Sequence, residues 1–566
     1  MNQSMSVSQW KCIKNNEVQT FTPPYDSLME SIASCAAAHP EKDAIVAVGD
    51  GKTGALNISY CELVDLLIKS CHFFTDELML TPGDTISLLM VNKPELLVIN
   101  WAAWSMGLKT VPLDSKRDTL ERKLYKLQLT GANVLFVRTE QVDGWEIEQI
   151  RKQMPSVQVV ELDRENQYFD LVRGAQKAGG NEIFSKIECP LDTDCLIMFT
   201  SGTTSHPKGV RLTLGCLWTD AAQILDWLKL NKDDRFHILL PLHHINSTTF
   251  SLATILSGGT ILLSTRYSKS RFWKVMADHK ATLASIVPTI AYDLLSEQNA
   301  FEENKADLQQ VSRIQLGSAP VQVNDVIKFY NQYKIPLIQG YGSTETSLRC
   351  TGVPYGLSED EYLEVVRTNS IGAEMCYNNV AVLDENNADC AEGAEGEICI
   401  RGPNVTRGYV KNHEQTEIAF RGGWYHSGDL GFWKNMLDRK MFFIKGRLRE
   451  IIIKGGVNIS PLALEKTILD IFTEIYHCFV IGFPHPRFGE EIGVIADGKE
   501  QGMEALQMAL KDGRISGLLP YECPRAIIRV KHEDLPKTST GKVQRLKLKE
   551  KYGDALYERS QEFTKK

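Results

Sequence analysis

The run Phe199-Thr200-Ser201-Gly202-Thr203-Thr204-Ser205-His206-Pro207-Lys208-Gly209-Val210 constrains this chain more than any other segment. Immediately before and into it, Cys195-Leu196-Ile197-Met198-Phe199 is an unbroken apolar run that reads as a buried strand. The strand opens into a loop rich in glycine and hydroxyls that ends in a lysine. Glycines let backbone N–H groups approach a polyanion closely, and hydroxyls plus an ammonium add further donors. That chemistry makes a phosphate cradle. It is not of the Walker type, because Pro207 stands where that loop needs glycine before its lysine. A Ser/Thr-rich surface turn is the plain alternative, and only the company the loop keeps decides against it.

At 566 residues the chain exceeds one core, and about two to four domains are expected. A hydrophobic content of 43% with 24% charged residues belongs to a globular protein, and a net charge of −8 gives no reason to expect nucleic acid as a partner. The 13 cysteines include no CxxC pair, so neither a zinc module nor a disulfide framework is indicated, and reduced thiols point to the cytoplasm. Met1 to Lys11 lacks an apolar signal core, and no stretch of about 18 apolar residues exists to span a membrane.

Helical patterns alternate with short β-branched runs, the mark of α/β layering. Helices are expected over Ser59–Thr75, Glu95–Met106 and Phe272–His279, and strands over Thr85–Val91, Val134–Val137, Val157–Leu162, Thr260–Leu263 and Leu283–Val287. A boundary falls near Gly446-Arg447-Leu448-Arg449. Beyond it, a strand at Ile451-Ile452-Ile453, a helix over Pro461–Phe472 and a strand over Cys478–Ile481 form a self-contained pattern. The expected division is a large unit over 1–448 and a small α/β unit over 449–566.

Five further segments share the loop's chemistry. They are Gly317-Ser318-Ala319-Pro320, Gln339-Gly340-Tyr341-Gly342-Ser343-Thr344-Glu345-Thr346, Gly423-Trp424-Tyr425-His426-Ser427-Gly428-Asp429-Leu430-Gly431, Gly446-Arg447 and Pro536-Lys537-Thr538-Ser539-Thr540-Gly541-Lys542-Val543-Gln544-Arg545. In this order and spacing the chain resembles the adenylate-forming superfamily of acyl-CoA synthetases, peptide-synthetase adenylation domains and luciferases, from about residue 28 to 545. The resemblance implies a large N-terminal α/β adenylation domain with layered sheets and a small, mobile C-terminal α/β domain. It also implies ATP and Mg²⁺, with CoA as co-substrate.

Carried over residue by residue, Thr200, Ser201, Gly202, Thr203, Thr204 and Lys208 would hold the β- and γ-phosphates. Gly317, Ser318, Ala319 and Pro320 would line the adenine, and Tyr341, between Gly340 and Gly342, would stack on it. Thr344 would contact the α-phosphate and Glu345 would ligate Mg²⁺, which prefers oxygen ligands. Asp429 would accept both ribose hydroxyls, Arg447 would touch the nucleotide and Arg449 would sit at the hinge. Lys542 would place a mobile ammonium on the oxygens that gain charge as a carboxylate attacks the α-phosphorus. After the small domain swings, Gly455 and Gly456 would border a pantetheine tunnel.

The chain departs from the family pattern in three places. Ser205 and His206 replace a usual glycine and a small or apolar residue, and Ala463 replaces the first acid of a Pro-x-Glu-x-Glu helix, leaving Glu465 as a structural carboxylate. Leu240-Pro241-Leu242-His243-His244-Ile245-Asn246 resembles the acyl-CoA synthetase version of its motif, which puts His244 near the substrate carboxylate. A His-His metal site is the weaker alternative. No aspartate between Asp234 and Asp278 is placed to bind an α-amine, which disfavours amino acids, and the surrounding segments look most like the branch handling small or medium acyl groups. The expected activity is an AMP-forming acid–thiol ligase, within the sphere of fatty acid metabolism, that makes acyl-AMP and then acyl-CoA. The alternative acceptor is the phosphopantetheine of a carrier protein.

Overall fold

A computed structural model describes residues 10–14, 17–21, 23, 27–49, 56–174, 191–200, 207–318, 321–537 and 543–564. The chain divides into two compact units, Met1–Val380 with Ile400–Tyr425, and Ala381–Cys399 with His426–Lys566. Compactness thus divides the chain earlier than residue 448. From Ile452 onward the second unit builds a sheet of its own.

The larger unit contains a six-stranded sheet in the order Lys208–Thr213, Asp194–Thr200, Lys109–Pro112, Thr85–Leu89, Val134–Arg138 and Gln158–Leu162. Its strands run parallel except where Lys208–Thr213 folds back on Asp194–Thr200. Thr85–Leu89 and Val134–Arg138 are buried at every position, as parallel strands covered on both faces must be. The helix Pro94–Ser105 lies against this layer with Trp101 and Trp104 fully enclosed, and the Trp104 indole N–H donates to Thr110 Oγ1 at 2.8 Å.

A second sheet of the larger unit places Leu337–Tyr341, Arg313–Leu316, Leu283–Ile286, Arg235–Ile238, Thr260–Ser264 and Asp43–Val48 side by side in parallel. The register pairs Ile314 with Leu337 and Leu316 with Gln339. The segments following these strands therefore leave at one edge: 239–244, Gly317-Ser318 and Gly342 to Glu345. Ligands of parallel sheets bind at such a C-terminal edge. Behind it, Trp227 of the helix Leu214–Leu228 packs on the sheet and donates its indole N–H to Val353 O at 2.7 Å.

The smaller unit holds the antiparallel pair Tyr425–Met436 and Arg439–Arg447, and a five-stranded sheet built from Ile452–Lys454, Val457–Ile459, Ile475–His485, Gly489–Gly498 and Ala526–Arg529. Helices Pro461–Ile471, Glu500–Asp512 and Arg545–Thr564 accompany it. Glu465, read as structural, is buried. It accepts the Val480 backbone N–H at 2.6 Å and forms a two-point ion pair with Arg545, whose Nε also reaches Glu450 at 3.0 Å. Burial alone would lower the Arg545 pKa, but the two carboxylates hold it above its ordinary value.

Removing one partner of a buried ion pair strands the other charge, at a cost of about 3–5 kcal/mol. Glu465→Ala is therefore expected to destabilise the full chain by about that amount in chemical denaturation, and Glu450→Ala, which removes the more exposed partner, by about 1 kcal/mol or less.

Candidate functional site

Glu345 stands in a single turn, Thr344–Thr346, that caps itself: the Ser343 and Thr346 side chains each accept the other's backbone N–H. Its main chain is held from outside by the segment 404–409. The Thr406 N–H donates to Glu345 O at 2.7 Å, and Asn404 Nδ2 donates to Thr346 O at 2.9 Å. The Tyr409 hydroxyl donates to Glu345 Oε1 at 3.1 Å, while Lys208 Nζ lies 4.2 Å from the centre of the Tyr409 ring. A cation over an aromatic face is attracted by the ring's negative quadrupole. Lys208 and Glu345, expected to serve one polyanion, are thus joined through one phenol.

The sequence reading missed Thr406 and Tyr409. The signal was present in Arg401-Gly402-Pro403-Asn404-Val405-Thr406-Arg407-Gly408-Tyr409, another glycine and hydroxyl segment. This segment also pairs with the strand leaving the phosphate loop, through Arg211 N–H to Gly408 O at 3.0 Å and Val410 N–H to Gly209 O at 2.8 Å. Glu345 is 8% exposed, and one of its oxygens is fixed by a neutral donor. A carboxylate so held is a hard oxygen ligand that fits Mg²⁺.

His244 occupies the N-cap position of the buried helix Ile245–Leu256, and its ring lies 4.5 Å from that of His243. Burial, reinforced by the neighbouring His243, pushes His244 down to about 3, so it is neutral at pH 7. His243 Nε2 is 3.4 Å from Asp114 Oδ2. Burial would raise Asp114, but the His243 contact and the Lys116 and Arg117 backbone N–H groups hold it below the usual carboxylate range. His243 is therefore fixed by an aspartate that the sequence reading did not single out.

In the smaller unit, Asp429 stands on the strand Tyr425–Met436. It pairs in register with Arg447, whose Nε lies 2.9 Å from Asp429 Oδ1. Glu397 pins the approach to Asp429. Its Oε1 accepts the Gly428 N–H at 2.8 Å, and its Oε2 is 2.7 Å from His426 Nδ1. Glu397, Cys399 and His426 also bring potential metal ligands within 4.8 Å of one another. Nδ1 of His426 already faces the Glu397 carboxylate, so the group reads as a hydrogen-bonded clamp.

Gly455 and Gly456, with φ of 59° and 84°, form the two-residue turn between Ile452–Lys454 and Val457–Ile459. Left-handed backbone at both positions is what a tight hairpin demands, and glycine adopts it without strain. The turn itself thus accounts for these glycines. Ser201, Gly202, Thr203, Thr204, Ser205, His206, Ala319, Pro320 and Lys542 lie outside the described residues.

A family model described as AMP-binding enzyme matches residues 32–410. The chain belongs to the AMP-binding enzyme family. It is 26% identical over 526 residues to an oxalate–CoA ligase of Arabidopsis thaliana, covering 92% of this chain and 97% of that protein. A feruloyl-CoA synthase of an Amycolatopsis species is 29% identical over 477 residues, covering 83% and 89%. Among solved structures, ATP-bound MatB from Rhodopseudomonas palustris matches with a TM-score of 0.80 at 25% identity, over 93% of this chain and 99% of that one.

Two outcomes are expected of this AMP-binding unit. Tyr409→Phe removes a hydrogen bond to a charged group, and should weaken Mg-ATP binding about 10-fold in calorimetric titration. His244 is neutral when folded but takes a proton near pH 6.5 when unfolded, so stability falls as pH drops from about 6.5 toward 3. Between pH 7 and 5 this loss is about 1–2 kcal/mol, and His244→Gln should remove it from the measured pH dependence.

Proposed function

We propose that the protein is an ATP-dependent acid–thiol ligase that makes acyl-AMP and then acyl-CoA. In the first step a carboxylate oxygen attacks the α-phosphorus, and the bond to the β-phosphate oxygen breaks to release pyrophosphate. In the second, the CoA sulfur attacks the acyl carbonyl, its proton passes to solvent, and AMP leaves. The observation that carries this reading is the Lys208–Tyr409–Glu345 line at the sheet edge, which pairs a phosphate-binding cation with a carboxylate fit for a metal.

Thr200 to Thr204 and Lys208 would hold the outer phosphates, and Thr344 the α-phosphate. Gly317 to Pro320 and Gly340 to Gly342 would frame the adenine, with Tyr341 stacked on it. Glu345 would hold Mg²⁺, which when bound neutralises charge on the leaving pyrophosphate. Neutral His244 would stand beside the substrate carboxylate without competing for the phosphates. Asp429 would accept the ribose hydroxyls, with Arg447 fixing its carboxylate. Lys542 would stabilise the charge that develops during adenylation.

Gly455 and Gly456 would turn the hairpin beside the pantetheine path, and residues 449–566 would act as the mobile domain on 1–448. The reported relatives are CoA ligases by name, which favours free CoA over a carrier-bound thiol. No helix among the described residues is long and apolar enough to cross a membrane. We place the activity in the cytoplasm, where thiols stay reduced.

Lys542→Ala is expected to lower AMP formation from acid, ATP and Mg²⁺ by about 10²–10³. It should leave thioester formation from supplied acyl-AMP intact. If the wild-type protein formed no AMP from any member of a broad acid panel, the ligase reading would be wrong.

A further inference from the structure

Arg349 follows the Thr344–Thr346 turn and is 1% exposed, yet its Nε and Nη2 have no hydrogen-bond partner among the described residues. The guanidinium lies against the two glycine segments of the site. A Cβ on Gly317 would come within 2.5 Å of Arg349 Nη2, and one on Gly340 within 2.8 Å of Arg349 Nε. On its other side the Phe250 ring centre is 5.8 Å away. The nearby Asp220 does not satisfy it: Asp220 Oδ1 accepts the Arg349 backbone N–H at 3.2 Å and the Gln223 amide at 2.6 Å. Burial raises Asp220 to about 8, leaving it largely uncharged at pH 7, while Arg349, lowered by burial to about 10, stays cationic.

Other unspent polar groups share this layer. Asn246 precedes Phe250 by one helical turn, and Gln315 lies two residues before Gly317, which directly follows the strand Arg313–Leu316, so each pair lies toward one face. Ser285 Oγ lies 2.9 Å from Asn246 Oδ1 and 2.7 Å from Gln315 Oε1, and its single hydrogen can serve only one of these two amides, so the other donates to Oγ. One of the two amide NH2 groups is therefore left without a partner among the described residues. Both residues are buried, at 4% and 0% exposed. A core that keeps a guanidinium and an amide donor unspent is unstable unless an acceptor meets them.

We propose that Arg349, flanked by Asn246 and Gln315, binds a second carboxylate on the acid substrate, which makes short dicarboxylic acids the preferred class. This inference rests on the ligase reading above. One carboxylate is activated at the sheet edge beside His244 and Thr344, and the other meets the guanidinium directly behind Gly317 and Gly340. The close approach of Arg349 to both glycines leaves room for only a short spacer between the two groups.

The test measures AMP formation with malonate against propionate and succinate against butyrate, pairs matched in carbon number. The wild-type kcat/KM is expected to favour the diacid by at least about 10-fold. Arg349→Met should cut diacid kcat/KM by about 100-fold, mainly through KM, and collapse the ratio toward unity, whereas Arg349→Lys should keep part of the preference. A wild-type enzyme that uses the monoacids as well as the diacids overturns the inference and leaves the ligase reading standing. Equal loss with both acids in Arg349→Met, with AMP still bound, overturns it too. No AMP from either class defeats the ligase reading and this inference together. Should Arg349→Met not fold, the wild-type ratio decides alone.

Discussion

Parallel pairing of Arg313–Leu316 with Leu337–Tyr341 is the constraint on which the site depends. Because these strands and Arg235–Ile238 run in one direction, each following segment must emerge at the same edge of the sheet. That edge gathers the histidine pair, Ser318, Tyr341 and Glu345 without any long loop to position them. The segment 404–409 then ties the Glu345 turn to the strand that begins at Lys208. Reversing one strand would scatter these groups to opposite ends of the layer.

Much of this was legible in the sequence. The unbroken apolar run before Thr200 gave its strand, and helices expected at Ser59–Thr75 and Pro461–Phe472 appear as Tyr60–His72 and Pro461–Ile471. Periodicity and capping residues are local signals, and local signals can be read one segment at a time. The anchoring of Glu345 by Tyr409 and of His243 by Asp114 joins positions 64 and 129 residues apart in number, and no spacing rule connects them. The glycines flanking Asp429 hide its strand from a local reading, because pairing with Arg439–Arg447 carries the strand through them.

Two buried arginines are satisfied differently. In the smaller unit Arg545 is saturated by Glu465, Glu450 and the Val480 carbonyl. In the larger unit Arg349 keeps donors in reserve. A saturated ion pair contributes rigidity. An unsaturated one is a request for a ligand, and its cost to the empty protein is recovered only when that ligand arrives.

Trp227 limits which side chains these strands can carry. Its ring would lie within 2.6 Å of a Cβ on Gly340 and 2.4 Å of one on Gly352, so the indole presses on bare backbone at both strands. Its N–H is committed to Val353, which fixes the ring in place. The indole holds both positions to glycine, and any larger residue there would have to evict it, at the expense of the packing that joins helix to sheet.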